Sequence, residues 1–296
     1  MIDLDFFQNQ IRKSYPALDR SLEEVLADGG QRVRTLADRI LRNYSALFPN
    51  EPERLGRAYA ILVTEVNRLQ LKYEMTGHYT ESEYSRALTN VYRNDQRMTD
   101  YMLGVACTQF AWPNHFELFR FFEDRFLKCI RPANVLEIAP GHGLLGLTLL
   151  EHHASARLTG IDISPASVRL SGMIAEQFGQ QRARYIEQNA LELSHDFHDL
   201  FDTVICGELM EHLPAPLLLC QNIAKAMTPN AEAYVTAAIT AEAPDHIYEF
   251  ITEDEVIALY EEAGLKVVER LCAGTKPLTG RAKGAPRVLA TILRRK

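Results

Sequence analysis

The chain has 296 residues, of which 47% are hydrophobic and 24% charged, as expected for a globular protein of one large or two modest domains. The acidic opening MIDLDFFQNQ lacks the features of a secretory signal, and no later apolar run reaches membrane-spanning length, so we predict a cytoplasmic protein that does not bind membranes. The five cysteines form no CxxC pair, which argues against a disulfide framework or a zinc knuckle.

The net charge of −7 is unevenly distributed along the chain. Residues 131–275 hold 8 lysines and arginines against 21 acidic residues, whereas residues 276–296 hold 7 basic residues and no acid. Because so acidic a body repels a phosphate backbone, we predict no nucleic-acid partner. The basic end of the chain either contacts RNA or another acidic ligand, or is simply a solvated face or a shield that keeps an edge strand from pairing.

Residues 1–130 have the pattern of an all-helical module. Helix starts are predicted at Ser21 with Glu24, at Thr80 with Glu83, and at Asn50 before Pro52. Gly29 and Gly30 are expected to interrupt the second helix. Residues 55–73 are predicted to form an amphipathic helix, since apolar residues recur at steps of three and four. Its predicted buried face is Ala58, Ile61, Leu62, Val66, Leu69 and Tyr73.

Seven aromatic residues lie between Phe110 and Phe126. The side chains that share one helical face are Phe116, Phe119, Phe122 and Phe126. We predict that they join the helical module to a following sheet. A second interpretation is that Trp112, His115 or Phe116 lines an apolar substrate pocket, because pockets favour domain junctions.

Residues 134–150, NVLEIAPGHGLLGLTLL, predict a buried strand, a glycine-rich turn and the start of a helix. Gly141 and Gly143 allow a ligand to approach the backbone, and the free amides of the helix start suit an anionic group. This stretch therefore predicts a site for a nucleotide-like cofactor.

The pattern then alternates strand and helix to the end of the chain. Further strands are predicted at 157–163, 183–187, 201–206, 231–240, 266–271 and 287–293. Helices are expected after Ser164, from Pro214 to Met227, and after Thr252, which forms a capping box with Glu255. Residues 131–296 are therefore predicted to form a doubly wound, Rossmann-like parallel sheet with a terminal hairpin.

Two kinds of cofactor fit the glycine turn. Gly141, Gly143 and Gly146 satisfy G-x-G-x-x-G, and Asp162 is spaced like the acid that holds a dinucleotide ribose, so an NAD(P)-dependent oxidoreductase is one hypothesis. Any nucleoside cofactor on this fold needs the same turn and the same carboxylate, however. The motifs at the other strand ends are more specific.

Four such motifs occur in order. They are Glu137 with Pro140, Gly141 and Gly143; Asp162 with Ile163; Asn189 with Ala190 and Leu191; and Cys206–Pro214, CGELMEHLP. On these residues, together with His246 and the later EEAGLKVVE, the chain from 134 to 296 resembles class I S-adenosylmethionine-dependent methyltransferases of the small-molecule (natural-product and quinone) branch. One departure is Ala139, where glycine is common.

The resemblance implies S-adenosylmethionine as the cofactor. Asp162 would take both ribose hydroxyls, Ile163 would pack on the adenine, and Asn189 would read the adenine edge. The cofactor-binding residues expected on this basis are Glu137, Ala139, Pro140, Gly141, Gly143, Asp162, Ile163, Asn189, Ala190, Cys206 and Gly207. Residues 1–130 would form a lid over the substrate or a homodimer surface.

Methyl transfer requires alignment of the acceptor and, where needed, removal of a proton. Glu208 and His212 are four apart and would share a face toward the cleft if a helix has begun there. We predict His212 as the base, Glu208 as its orienting partner or a cofactor contact, and His246 as a further catalytic candidate. The favoured interpretation assigns no metal; the alternative is a divalent ion held by these three residues and Asp245.

The acceptor is predicted to be a small molecule methylated on oxygen, nitrogen or carbon. The residues expected on the substrate side are Tyr79, Tyr101, Trp112, His115 and Phe116. A nucleic-acid enzyme is disfavoured by the acidic body and by CGEL, where adenine amino-methylases resemble an Asn-Pro-Pro-aromatic pattern. The acidic residues do not exclude an enzyme that methylates arginine or lysine in proteins, which would need an acidic pocket. The other hypotheses are the NAD(P)-dependent oxidoreductase and a catalytically silent module that binds a cofactor or a partner.

Overall fold

The computed structural model describes residues 2–80, 95–275 and 285–296. The first five helices are α1 (Leu4–Ser14), α2 (Pro16–Ser45), α3 (Arg54–Thr76), α4 (Asp95–Ala111) and α5 (Pro113–Phe121), and a π-helical turn, Phe122–Leu127, follows them. The later helices are α6 (Leu144–His152), α7 (Pro165–Gln177), α8 (Pro216–Ala226) and α9 (Glu253–Glu262). Within the described ranges, no helix has both the length and the apolarity needed to cross a membrane.

The strands form one seven-stranded sheet. They are β1 (Asn134–Ile138), β2 (Arg157–Asp162), β3 (Ala183–Glu187), β4 (Phe201–Cys206), β5 (Met227–Ile239), β6 (Leu265–Gly274) and β7 (Arg287–Arg295). Their order is β3-β2-β1-β4-β5-β7-β6, and β7 runs antiparallel between β5 and β6. The predicted doubly wound sheet with a terminal hairpin is confirmed, and the carboxyl ends of β1 to β5 meet at one edge.

Helix boundaries in the first part of the chain differ from the prediction. Ser21 lies inside α2 and does not cap a helix, because Pro16 already supplies a favourable first helical position after Tyr15. The predicted interruption is confirmed at Gly30, which has a φ of 54° and a ψ of −138° inside α2. Helix α3 begins at Arg54, four residues beyond Asn50. The Thr80–Glu83 capping box extends beyond the described residues.

One position on the predicted buried face of α3 is wrong. Ile61 is 57% exposed, whereas Ala58, Leu62, Leu69 and Tyr73 are buried as expected. The buried face is set by α4, which approaches so closely at Gly104 that a β-carbon there would lie 2.9 Å from the carbonyl oxygen of Ala58. Ile61 lies on a side of α3 that this contact does not cover.

The aromatic stretch bridges two cores. Phe116 and Phe119 belong to the cluster that holds the first helices together, which also takes in residues of α6 and α7. Phe122 and Phe126 belong to the cluster on one face of the sheet, where the Phe122 ring lies 4.9 Å from the ring of Tyr234 on β5. The stretch therefore joins the helices to the sheet, as predicted.

Capping is confirmed at two helices of the second half. The hydroxyl of Ser164 accepts a hydrogen bond from the amide of Ser167, and Thr252 with Glu255 forms a complete capping box. The idea that the basic end shields an edge strand is wrong for its described part. Strand β7 is an interior strand, where Arg294 pairs with Glu232.

Candidate active site

Three of the strands that end at the carboxyl edge are followed by a residue in a left-handed conformation. The φ angles are 53° at Ala139, 46° at Glu208 and 52° at Thr240. The backbone amide of each residue donates a hydrogen bond. The acceptors are the Ile161 carbonyl for Ala139, the Thr236 hydroxyl for Glu208 and the Phe250 carbonyl for Thr240. Non-glycine residues adopt this conformation at a cost of about 1–3 kcal/mol and do so preferentially at functional sites. The chain thus turns sharply where β1, β4 and β5 end.

These turns border a cavity of about 460 Å³, closed on its other side by α3, α4 and α5. The predicted site residues that line it are Glu137, Ala139, Pro140, Gly141, Asp162, Ile163, Asn189, Ala190, Gly207, Glu208, His212, His246, Tyr101, Trp112 and His115. A pocket of this size at a domain junction suits a small molecule or a cofactor. The sequence motifs therefore converge on one space.

Four of the residues predicted for the site lie outside the lining. Phe116 is in the helical core, where its ring packs against Gly29. The Tyr79 hydroxyl donates to the Ala241 carbonyl, which places its ring behind His246. Cys206 is fully buried within β4, and Gly143 has a φ of 76° at the start of α6.

Glu137 supports the glycine turn from beneath. Its Oε1 accepts a hydrogen bond of 2.9 Å from the amide of Gly146, while its Oε2 has no hydrogen-bond partner in the described part of the chain. A β-carbon on Gly146 would lie only 2.2 Å from that Oε2. The third glycine of the motif therefore allows α6 to pack on the carboxylate. Burial raises the pKa of Glu137 to about 8, and the Gly146 amide lowers it only in part.

The ends of β2 and β3 add polar groups to the same half of the cavity. Asp162 Oδ1 accepts from the Ser164 amide at 2.8 Å, and burial raises the pKa of Asp162 to about 6 against the lowering effect of backbone amides. Asn189 Oδ1 accepts from the Leu191 amide at 3.0 Å, forming a turn that fixes its side chain. These groups are suited to hold hydroxyls and a heterocycle edge.

The other half of the cavity contains a chain of polar contacts. The Tyr101 hydroxyl donates to Asp245 Oδ1 at 3.0 Å, and Asp245 Oδ2 lies 3.3 Å from His212 Nδ1. The His246 ring meets the His212 ring edge-on at 4.6 Å, and its Nδ1 lies 2.8 Å from the Ala241 carbonyl oxygen. A carboxylate from the loop after β5 thus fixes one imidazole, and a backbone carbonyl fixes the other.

The predicted reason for pairing Glu208 with His212 does not hold. Residues Met210–His212 form a single 3₁₀ turn, and Glu208 has left-handed backbone, so the two are not related by an α-helical turn. Both nevertheless line the cavity. Opposite Glu208 stands His115, whose Nε2 is 3.9 Å from Glu208 Oε1.

Sequence reasoning missed Glu211, although it lies within the quoted CGELMEHLP. Its side chain is fully buried, and its ligand-capable oxygen lies within 4.8 Å of nitrogens of His212 and His246. The group that could hold a metal is thus Glu211, His212 and His246, in place of the predicted set with Glu208 and Asp245. Burial raises the pKa of Glu211 to about 7, and the charge of His212 opposes that rise.

The pKa values of the two histidines are shifted in opposite directions. Burial lowers the pKa of His212, but the charge and hydrogen bond of Asp245 outweigh burial and raise the value to about 9. Burial lowers the pKa of His246 to about 3, with the charge of His212 as the second cause. The Asp245 carboxylate is therefore the group that distinguishes the two neighbouring rings.

Residues 136–233, which hold the motif strands and turns, match the family model described as a methyltransferase domain. This segment of the chain is similar to methyltransferase domains. Among curated relatives, the ubiquinone biosynthesis O-methyltransferase of Paracidovorax citrulli is 28% identical over 171 residues, covering 51% of this chain and 71% of the relative. The protein of the same name from Aromatoleum aromaticum is 29% identical over 164 residues, covering 49% and 69%.

Solved structures share the fold of this chain. The mitomycin 7-O-methyltransferase MmcR matches with a TM-score of 0.57 at 17% identity, over 81% of this chain and 70% of its own. The cyclase SpnF matches with a TM-score of 0.51 at 13% identity, over 60% and 80%. Because a cyclase has the same fold, the fold by itself does not define the chemistry.

Proposed function

We propose that this methyltransferase transfers the methyl group of S-adenosylmethionine to an oxygen atom of a small-molecule acceptor. The observation that carries the proposal is the single cavity that Asp162 and Asn189 line from one half and His212 from the other. A donor bound along the first half would direct its methyl group toward the second. That continuity is what an in-line transfer requires.

The residues of the first half fit the donor. The Asp162 carboxylate is buried at the cavity wall, where its remaining lone pairs suit the ribose hydroxyls. Ile163 and Ala190 offer apolar surface to the adenine, and the turn at Pro140 and Gly141 brings the backbone close to the methionine part. We assign these five residues and Asn189 to the cofactor.

The acceptor half favours a largely apolar molecule with a hydroxyl group. Met98, Met102 and Val105 of α4, with Trp112 just before α5, give it apolar surface, and the polar groups are those of His115 and of the loops that carry Glu208, His212 and Asp245. The curated relatives are named O-methyltransferases, which supports an oxygen acceptor. Tyr101, Trp112 and His115 are the substrate-side residues that we retain from the sequence, and α3, α4 and α5 would act as the lid.

S-adenosylmethionine supplies an activated methyl group, and the protein must align the acceptor and exclude water. The acceptor hydroxyl loses its proton during transfer, and we place His212 beside that oxygen. The Asp245 carboxylate and carbonyl, 3.3 and 3.2 Å from His212 Nδ1, fix the ring so that the other nitrogen faces the cavity. We assign Glu208 and His246 to the same acceptor contact.

The test is calorimetric titration with S-adenosylmethionine and, separately, with NADH. We expect binding of S-adenosylmethionine alone, and a loss of affinity of roughly tenfold or more in Asp162→Ala, since a charged hydrogen-bond acceptor is removed. Asp254→Ala, an exposed carboxylate in the first turn of α9, should leave affinity unchanged. Binding of NADH alone would refute the proposal.

Turnover provides the second part of the test. Release of S-adenosylhomocysteine is measured with a panel of hydroxylated, amino and carbon acceptors, and we expect product with hydroxylated molecules. His212→Ala should reduce kcat more than it weakens cofactor binding. No methyl transfer to any hydroxylated acceptor, with cofactor bound, would contradict the assignment of oxygen as the acceptor atom.

A further inference from the structure

We propose that Glu211, His212 and His246 form a binding site for a divalent first-row transition-metal ion. One ligand-capable atom of each residue lies within 4.8 Å of the others, and all three side chains are buried. Ligands around one tetrahedral ion at bond lengths of about 2.0–2.2 Å stand roughly 3.3–3.6 Å apart. The three ligand atoms would therefore move closer together by no more than roughly 1.5 Å as the site closes on an ion.

Glu211 provides an independent indication that a cation belongs here. Its side chain is 0% exposed. In the ranges that the structure describes, neither carboxylate oxygen makes a hydrogen bond of normal geometry, although its own amide and that of Ala238 lower its pKa. A buried, unsatisfied carboxylate is strongly unfavourable. Proteins retain such groups where they are paired with a charge or coordinate a metal.

In both imidazoles, the contacts of Nδ1 are those expected of a histidine that binds a metal through its other ring nitrogen. His212 Nδ1 faces Asp245, with its carbonyl at 3.2 Å and its carboxylate at 3.3 Å, and His246 Nδ1 lies 2.8 Å from the Ala241 carbonyl. Histidines that bind a metal through one nitrogen commonly donate the other N–H to a carboxylate or a carbonyl. We therefore assign Nε2 of each ring to the ion.

The donor set selects the kind of ion. Two imidazoles and one carboxylate suit Mn²⁺, Fe²⁺, Co²⁺ or Zn²⁺, whereas Mg²⁺ and Ca²⁺ prefer all-oxygen sites. Both histidines also line the cavity, so an ion held there would have open positions toward the acceptor.

The role of the ion rests on the proposed function. An acceptor hydroxyl bound to the ion would lose its proton to solvent more readily, because the cation stabilises the alkoxide or phenolate. The oxygen lone pair then forms the O–CH₃ bond while the S–CH₃ bond breaks, its electron pair stays on sulfur, and S-adenosylhomocysteine leaves. The ion keeps its oxidation state throughout.

The experiment uses the full chain, stripped with a chelator and titrated with Zn²⁺ and with Mn²⁺, with bound metal measured by elemental analysis. We expect one ion per chain, and weakening of roughly tenfold or more in Glu211→Gln and in His246→Ala. Circular dichroism and titration with S-adenosylmethionine show whether each variant is folded. Unchanged metal affinity in folded Glu211→Gln would overturn the site.

Two control variants separate this site from other metal-binding groups. Glu242→Gln alters another buried carboxylate of the cavity wall, one that accepts from the Thr80 amide, and should keep the ion. His195→Ala removes an exposed imidazole whose ring lies 4.7 Å from that of His198, where a surface ion could bind. If His195→Ala abolished binding and His246→Ala did not, the inference would be wrong.

The outcomes also separate the metal site from the methyl-transfer proposal. Metal binding without any binding of S-adenosylmethionine would sustain the site and refute the proposed function. Cofactor binding and turnover in a chain that binds neither Zn²⁺ nor Mn²⁺ would sustain the proposed function and refute the metal site. Full turnover of the metal-free enzyme, with the ion shown to bind, would refute the role in activating the acceptor.

Discussion

The hydroxyl of Tyr44 donates a hydrogen bond of 2.7 Å to the carbonyl oxygen of His142. The two residues are 98 positions apart, and they tie α2 to the glycine turn that follows β1. Met102 of α4 packs closely against the same turn, since a β-carbon added at Gly141 would lie 2.8 Å from the Met102 sulfur. The helical module therefore helps to shape the glycine turn at which the cofactor is predicted to bind.

Tyr44→Phe should lower the free energy of unfolding by about 1 kcal/mol, because a buried carbonyl loses its donor while the ring volume is kept. It should also weaken S-adenosylmethionine binding, because the turn loses one of its supports. Chemical denaturation and calorimetry measure the two effects. Tyr73→Phe, which removes a bond to Glu249 far from the turn, should cost stability but leave cofactor affinity unchanged. Equal cofactor affinity in both variants would contradict this coupling.

Gly146 and Gly172 form a matched pair of helical glycines. A β-carbon at Gly146 would lie 2.2 Å from Glu137 Oε2 and 2.9 Å from Leu158, whereas at Gly172 it would meet nothing within 4 Å. We expect Gly146→Ala to destabilise the protein by about 1–3 kcal/mol through overpacking. Gly172→Ala should stabilise it by about 0.5–1 kcal/mol, because alanine favours the helix. Thermal and denaturant unfolding of both variants check the contrast, and a stabilised Gly146→Ala would contradict it.

The sheet was predictable because β1, β2 and β4 each contain a short apolar run that is followed within a few residues by a polar or small residue. Asp162 and Glu208 follow such runs, Asn189 follows β3, and parallel strands bring their carboxyl ends to one edge. Periodicity was less informative in the helical half. It placed Ile61 in the core, although this side chain is exposed. Helical spacing identifies an apolar face, but it does not give the angle at which a neighbouring helix such as α4 packs against that face.

The residues that belong to the site were easier to predict from the sequence than the contacts between them. Glu211 was missed because a helical i,i+4 argument favours Glu208 with His212, whereas the backbone there forms a 3₁₀ turn after a left-handed residue. Phe116 was assigned to the substrate because aromatic composition does not distinguish a core side chain from a pocket wall. Backbone turns and long-range packing decide such cases, and neither is local in sequence.

Glu137 makes stability depend on pH. Its pKa of about 8 in the folded protein lies above the ordinary value of 4.5, so between these values the folded state binds more protons than the unfolded state. The free energy of unfolding therefore falls as pH rises through this window. Glu137→Gln keeps an acceptor for the Gly146 amide but cannot ionise, so its stability relative to the wild type should increase by at most about 1.4 kcal/mol per pH unit.

Urea denaturation of the wild type and Glu137→Gln at several pH values between 4.5 and 8 measures this difference. Because every other titrating group is present in both proteins, subtraction isolates Glu137. A difference that stays constant with pH would contradict the raised pKa. S-adenosylmethionine affinity, measured in parallel, reports separately whether the carboxylate contributes to the cofactor site.

Tyr101 positions Asp245, and through it His212. The Tyr101 hydroxyl lies 3.0 Å from Asp245 Oδ1, and Asp245 Oδ2 lies 3.3 Å from His212 Nδ1, so Tyr101→Phe frees one oxygen of the carboxylate that orients the imidazole. Groups of this kind commonly contribute roughly 10–100-fold to activity. We expect kcat to fall within that range while the dissociation constant of S-adenosylmethionine is unchanged. Tyr248→Phe, at an exposed position, should behave as the wild type. If Tyr101→Phe weakened cofactor binding and left kcat intact, Tyr101 would belong to the half of the cavity that binds S-adenosylmethionine and not to the half that binds the acceptor.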